Sequence, residues 1–216
     1  MTKIVPKKFD FESVKGISKN QLTQHYQLYK GYVKKINAIW KKLKEEKFTN
    51  PNTTYSPYRC LKLGESYALN GVKLHELYFE NLGGRKNTPY GNLLRQIKKD
   101  FGSYKNWEKD LLDAGKSARG WVITAYDLID GKIRNYLSDS HDQGGIWNAL
   151  PLLVLDVYEH AYMIDFGIDR NKYLDIFLKN INWAIAEKRF NTILKHIKNP
   201  KPRPYPIPTP TPYFFQ

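Results

Sequence analysis

The first part of the chain carries a helical hydrophobic pattern. Apolar side chains recur at intervals of three and four from Leu22 to Leu43, and the same spacing returns at 69–82. Ser18 and Gln21 have the spacing of a capping box, which places the start of the first helix at Ser18. The segment FTNPNTTYSP is rich in turn-forming residues and separates the two series. The pattern therefore predicts two antiparallel helices, a helical hairpin.

The pattern becomes mixed after the hairpin. The segments NLLRQIKKDFG and SYKNWEKDLLDAG predict two short helices. Hydrophobic positions then alternate in GWVITAYD and KIRNYLSD, which meet around Asp130 and Gly131, and ALPLLVLD is typical of a buried strand. Two more helical segments follow. The sequence predicts an α+β protein, with an N-terminal helical hairpin domain (1–86) and a C-terminal α/β domain (87–198) containing a small three-stranded antiparallel sheet.

The last segment, 199–216, reads NPKPRPYPIPTPTPYFFQ. Its alternating prolines forbid a helix and favour an extended, polyproline-like conformation outside the folded body. A spacer or tail explains this composition more simply than a partner-binding segment does.

Charge and cysteine content narrow the function classes. The net charge of +14 implies an anionic partner, which is nucleic acid, a membrane surface or a small anion. Lysines are spread along nearly every predicted helix, which disfavours a nucleic-acid interface. Cys60 is the only cysteine, so neither a disulfide scaffold nor a cysteine zinc site fits. Because no segment resembles a signal-peptide core or a membrane span, we expect a cytoplasmic protein.

A carboxylate and an imidazole follow the predicted buried strand. Asp156 and His160 are four residues apart, and a helical turn would bring both side chains to one side. Such a pair is weak evidence by itself, because a hydrogen-bonded core histidine beside a capping aspartate explains it more simply than a pair of metal ligands does.

Three longer segments carry a family resemblance. LLVLDVYEHAYMIDFGIDRNKYLDIFLKNINW resembles the signature segment of iron/manganese superoxide dismutases, in which D-x-W-E-H-A-Y supplies two metal ligands; here Tyr158 replaces the tryptophan. GVKLHELYFENLGG is similar to the family's histidine-bearing helix, and KGISKNQLTQHYQLYKGYVKKIN to its opening helix. The resemblance implies one iron or manganese ion per subunit and the conversion of superoxide to dioxygen and hydrogen peroxide. The implied ligands are His25, His75, Asp156 and His160.

The chain departs from the family pattern around the implied metal. The gateway tyrosine usually lies one residue further from the first ligand, so Tyr32, the best match, either reaches the substrate funnel or packs in the core. The glutamine that usually contacts metal-bound solvent is missing. His141 in SDSHDQGG is expected to take that role. A surface-loop histidine, or Gln143 reaching inward, is the alternative.

The resemblance also implies an assembly. Family dimers suggest that Glu159 bridges to His160 of the partner subunit, with Tyr162 nearby, and we expect a homodimer or a dimer of dimers. Arg170 matches a family arginine near the funnel and either guides superoxide inward or forms a surface salt bridge.

Two other functions stay open. A basic nucleic-acid-binding module is favoured by the charge and the sixteen tyrosines, but it leaves the ordered ligands unexplained. A dismutase-like protein with a redox-inactive metal would keep the fold without turnover.

Overall fold

The computed structural model describes residues 3–84 and 88–198. The predicted hairpin is present: helix α1 spans Lys19–Glu45 and helix α2 spans Pro57–Glu80. The side chains of Ser18 and Ser56 accept a hydrogen bond from a backbone N–H in the first turn of α1 and α2, respectively, which satisfies donors that a helix leaves free at its start.

The predicted capping box at α1 forms on one side. Ser18 Oγ accepts from the N–H of Gln21 at 3.0 Å, as expected. The Gln21 side chain, however, points away from Ser18: its amide donates to the carbonyl of His160 at 2.6 Å and its oxygen accepts from the N–H of Ile164 at 3.0 Å. Gln21 is fully buried. It therefore ties the start of α1 to the segment that carries His160.

The second half contains a small sheet surrounded by helices. The remaining elements are α3 (Gly91–Phe101), α4 (Tyr104–Ser117), β1 (Trp121–Asp127), β2 (Lys132–Ser138), β3 (Ala149–Asp156), a 3-10 turn (Glu159–Ala161), α5 (Met163–Phe166), α6 (Arg170–Asn180) and α7 (Trp183–Lys198). The strands form an antiparallel sheet in the order β2-β1-β3. The α+β prediction, including the three-stranded antiparallel sheet, is confirmed.

The two halves pack through α2, β3 and α7. Residues 152–155 of β3 are all buried, as the continuous apolar run predicted. The guanidinium of Arg189 on α7 donates to Asn81 Oδ1 at 2.6 Å, to the Leu152 carbonyl at 2.8 Å and to Glu80 at 2.7 Å. This cluster joins the end of α2 to the strand that ends at Asp156.

Within the described ranges, no helix is long and apolar enough to cross a bilayer. The proline-rich segment 199–216 lies outside the described residues.

Candidate metal centre

Four side chains from four elements meet where the two halves pack. They are His25 on α1, His75 on α2, Asp156 at the end of β3 and His160 in the 3-10 turn. The potential ligand atoms of all four lie within 4.8 Å of one another. The first three side chains are buried and His160 is 30% exposed, so the cluster opens toward solvent on one side.

The three imidazoles converge on one carboxylate oxygen. Asp156 Oδ2 lies 3.1 Å from His25 Nε2, 3.2 Å from His160 Nε2 and 3.8 Å from His75 Nε2. His75 Nδ1 lies 2.6 Å from the Gly71 carbonyl, which can only accept, so Nδ1 carries the proton and Nε2 presents a lone pair. Among the described residues, that Nε2 has no hydrogen-bond partner. A cation between these atoms would satisfy the lone pair, since a buried polar group without a partner is costly.

The electrostatics keep the cluster ready to bind a cation. Burial and the neighbouring His25 lower the pKa of His75 to about 3, so its imidazole is neutral. Burial also lowers the pKa of His25, although Asp156 opposes the shift. For Asp156 burial acts to raise the pKa, but the charge and hydrogen bond of His160, together with His25, outweigh it and lower the pKa. The lowered pKa values of His25 and His75, next to an ionised Asp156, correspond to the protonation states that metal ligands need.

Hydrogen bonds from outside the cluster hold Asp156 in place. The N–H of Tyr158 donates to Asp156 Oδ1 at 3.0 Å, which leaves Oδ2 to face the histidines. The Tyr173 hydroxyl donates to the Asp156 carbonyl at 2.7 Å, and it lies 3.1 Å from the Tyr78 hydroxyl. Such outer contacts fix the direction in which a metal ligand points.

A strand end and a 3-10 turn, not the expected helical turn, bring Asp156 and His160 together. Asp156 ends β3, and its partner strand residue is Trp121; His160 lies in a 3-10 turn. The prediction of a helical turn was wrong because the strand continues to Asp156, whose neighbour Val157 still donates its N–H to the Gly120 carbonyl. The tight 3-10 turn then brings the imidazole back to the carboxylate.

His141 lies inside the protein, next to Tyr32. His141 is only 3% exposed, whereas Gln143 is exposed. The indole N–H of Trp121 donates to His141 Nδ1 at 3.0 Å, and His141 Nε2 lies 2.7 Å from the Tyr32 hydroxyl. Burial lowers the pKa of His141 to about 4, so the ring is neutral near pH 7. Of the two side chains considered at sequence level, His141 faces the site.

The residues expected near the subunit interface form a group of their own. Arg170 Nε donates to the Tyr162 hydroxyl at 3.3 Å, and one terminal nitrogen donates to the Ala118 carbonyl at 2.8 Å. Its other terminal nitrogen lies 3.9 Å from Glu159, whose side chain is 60% exposed. Arg170 therefore clamps the end of α4, a contact that its sequence position did not reveal.

Sequence reasoning missed two residues that shape the site. Trp121 fixes the ring of His141, and Gly71 gives room to Tyr32, since a Cβ at position 71 would lie 2.9 Å from Tyr32 Cδ1. A glycine inside a predicted helix, one turn before a candidate ligand, was the available signal for Gly71. The role of Trp121 depends on strand pairing and had no local signal.

Comparison with known proteins gives a consistent result. The family described as iron/manganese superoxide dismutases, C-terminal domain, matches residues 89–189. The superoxide dismutase [Fe] of Aquifex aeolicus (strain VF5) is 38% identical over 189 residues, which cover 85% of this chain and 89% of the relative. The superoxide dismutase [Mn] 1 of Halobacterium salinarum is 33% identical over 191 residues, covering 86% and 92%, respectively. The superoxide dismutase [Fe] of Cupriavidus metallidurans is 36% identical over 180 residues, covering 81% and 89%. The chain therefore belongs to the iron/manganese superoxide dismutase family.

Proposed function

We propose that His25, His75, Asp156 and His160 hold the iron or manganese ion with which this superoxide dismutase works. Iron or manganese is the cofactor of the family, and superoxide is its substrate. The observation that carries the assignment of ligands is the unpartnered Nε2 of His75, which faces the ionised carboxylate of Asp156. Three imidazoles and one carboxylate suit a first-row metal of borderline softness.

An iron or manganese ion held by these four residues would supply the one-electron redox chemistry that superoxide dismutation requires. The protein supplies the geometry and the protons. Two superoxide anions and two protons give one dioxygen and one hydrogen peroxide, so two protons must reach the site in each cycle.

We assign proton handling to His141 and Tyr32. An indole N–H is a donor only, so His141 Nδ1 accepts from Trp121 and the neutral ring carries its proton on Nε2. That N–H donates to the Tyr32 oxygen, 2.7 Å away. The Tyr32 hydroxyl is then free to donate its own proton to the reduced substrate. His141 fixes the orientation of Tyr32; because Trp121 and Tyr32 engage both of its ring nitrogens, it would act on the solvent near the metal only through Tyr32.

The remaining assignments concern access and assembly. We propose that the helical part (1–86) and the α/β part (87–198) are separate domains whose junction forms the site. Glu159, with its exposed carboxylate, would bind His160 of the partner subunit in a homodimer, alone or within a dimer of dimers. Arg170 holds Tyr162 in position, and its charge is part of the net charge of +14 that attracts an anion.

The test combines metal analysis with superoxide turnover. Wild-type protein should bind about one iron or manganese ion per chain and consume superoxide. His160→Ala should lose the metal, and its activity should fall by more than about 100-fold. This loss is larger than the one expected from mutating a residue that only hydrogen-bonds to a ligand. His196→Ala, which changes an exposed histidine on α7, is the control and should match wild type. Full metal content and turnover in His160→Ala would refute the ligand assignment.

A further inference from the structure

The side chain of Gln21 takes the place of a main-chain hydrogen bond in the segment that carries His160. In a continuous α-helix the N–H of Ile164 would donate to the carbonyl of His160, four residues earlier. The amide of Gln21 bridges these two groups instead: its nitrogen donates to the His160 carbonyl at 2.6 Å, and its oxygen accepts from the Ile164 N–H at 3.0 Å. A side chain of α1 therefore interrupts the helical hydrogen bonding of residues 160–164.

The backbone of this segment agrees with the interruption. The 3-10 turn ends at Ala161, and α5 begins only at Met163. Tyr162, which lies between them, has φ −145° and ψ −18°, whereas an α-helix has φ of about −63°. The chain therefore bends at the point that Gln21 bridges.

The bend determines the direction of the His160 imidazole. His160 is the most exposed of the four proposed ligands, at 30%, and its Nε2 lies 3.2 Å from Asp156 Oδ2. Gln21 and His25 are four residues apart on α1, so they lie on the same face of that helix. Because Gln21 is fully buried and bridges to the turn of His160, it fixes the spacing between two proposed ligands, His25 and His160.

We propose that Gln21 is a positioning residue that aims His160 and thereby controls how long the metal stays bound. The inference rests on the proposed ligand set. Without the Gln21 amide, the Ile164 N–H and the His160 carbonyl can bond to each other, which closes the segment into a helical turn and rotates the imidazole away from Asp156. Loss of the amide therefore leaves few groups without a partner, but it moves a ligand.

Asn180 on α6 offers a matched control. It is also a buried amide, 3% exposed, and it bridges two main-chain groups of Lys15: it donates to the carbonyl at 2.6 Å and accepts from the N–H at 2.8 Å. These two groups belong to one residue and cannot bond to each other, so removal of the amide deprives both of this partner. None of the hydrogen bonds that Asn180 makes with described residues reaches a proposed ligand.

The experiment uses the full chain loaded with manganese. Release of the ion into excess EDTA gives its dissociation rate, and urea unfolding of the metal-free protein gives the stability without an ion. Gln21→Met, which replaces the amide with an apolar side chain of similar length, should release manganese about 10–100-fold faster than wild type, the range expected when a residue that orients a ligand is lost. Its metal-free form should unfold at nearly the urea midpoint of wild type.

The control should show the opposite pattern. Asn180→Leu, which keeps the branched shape of asparagine, should unfold at a lower urea midpoint and release manganese at the wild-type rate. Gln21→Asn keeps an amide on a side chain that is one methylene too short for the bridge. It should release manganese faster than wild type, and it provides the test if Gln21→Met does not fold.

Three results would overturn the inference. If Gln21→Met and Gln21→Asn released manganese at the wild-type rate, the bridge would not position His160. If the release rates followed the urea midpoints, with Asn180→Leu the fastest, the ion would leave by global unfolding and Gln21 would act only on stability. Wild-type protein that retained no manganese would instead overturn the proposed ligand set, and this inference with it.

Discussion

Replacing His141 with glutamine should remove an acid-sensitive group from the core. Glutamine is the residue that the family usually uses for this contact, and it can accept from Trp121 and donate to Tyr32 without titrating. Burial lowers the pKa of His141 from 6.5 to about 4, against the raising effects of Asp156 and Asp142. His160 adds to the lowering, and all three of these groups remain in the variant.

The sign of the effect follows from the direction of the shift. Below pH 6.5 the unfolded chain binds a proton at position 141 that the folded protein does not bind until the pH reaches about 4. The stabilisation is therefore complete above pH 6.5 and is lost as the pH falls through this window. At about 1.4 kcal/mol per pH unit, wild type should lose about 2 to 3 kcal/mol of unfolding free energy that His141→Gln keeps, the lower figure allowing for solvent screening.

Urea unfolding of both proteins from pH 7 down to about pH 4 measures this difference. Acid loss of the metal affects both proteins, so the difference between them isolates position 141. His196→Gln, at an exposed position on α7, should follow wild type at every pH. If His141→Gln lost stability in parallel with wild type over the whole range, the inference that His141 is buried in its neutral form would be refuted.

Three further predictions concern the surroundings of the site. Gly71→Ala should cut activity by about tenfold with the metal retained, because the new Cβ would displace Tyr32 and so weaken proton transfer. Gly31→Ala, whose Cβ would meet no described atom within 4 Å, should keep activity and stabilise α1 by about 0.5–1 kcal/mol; equal activities in the two variants would contradict this. Arg189→Ala should lower the free energy of unfolding in urea by about 3 kcal/mol, because Asn81 Oδ1 and the Leu152 carbonyl lose the guanidinium as a donor and Glu80 keeps only Lys7; an unchanged midpoint would contradict it. Removing the metal should lower the melting temperature, since an ion present at 100 times its Kd stabilises by about 2.7 kcal/mol; equal melting temperatures with and without metal would count against a bound ion.

Local patterns predicted most of the secondary structure, but not the 3-10 turn at Glu159–Ala161 or helix α5. Helix periodicity and the Ser18 cap placed α1, and the alternating runs placed β1 and β2, because these signals depend on neighbours in sequence. The contacts of Gln21 and Arg170 could not be predicted in the same way. Each side chain bonds to a carbonyl more than 50 residues away in sequence, and only the packed structure determines which carbonyl is within reach.

The four metal ligands could be predicted from the sequence for a different reason. Asp156 with His160 was ambiguous from spacing alone, and the family resemblance, rather than periodicity, selected the four ligands. The contacts of Trp121 with His141 and of Gly71 with Tyr32 were not predicted, because neither side chain is of a type that binds a metal.

The spacing between His25 and Tyr32 shows how a departure from the family pattern fits this structure. Every residue of α1 is α-helical, and at 3.6 residues per turn seven residues advance about 1.9 turns and about 10.5 Å. Tyr32 therefore lies on the same face of α1 as His25, rotated by only about 20°. One more residue would turn the side chain by about 100° away from the site unless a π-bulge absorbed it. A regular helix with the shorter spacing thus brings the hydroxyl within 2.7 Å of His141. Inserting one alanine after Leu28 should rotate Tyr32 out of this contact while the ligand His25 stays in place, so activity should fall with the metal still bound.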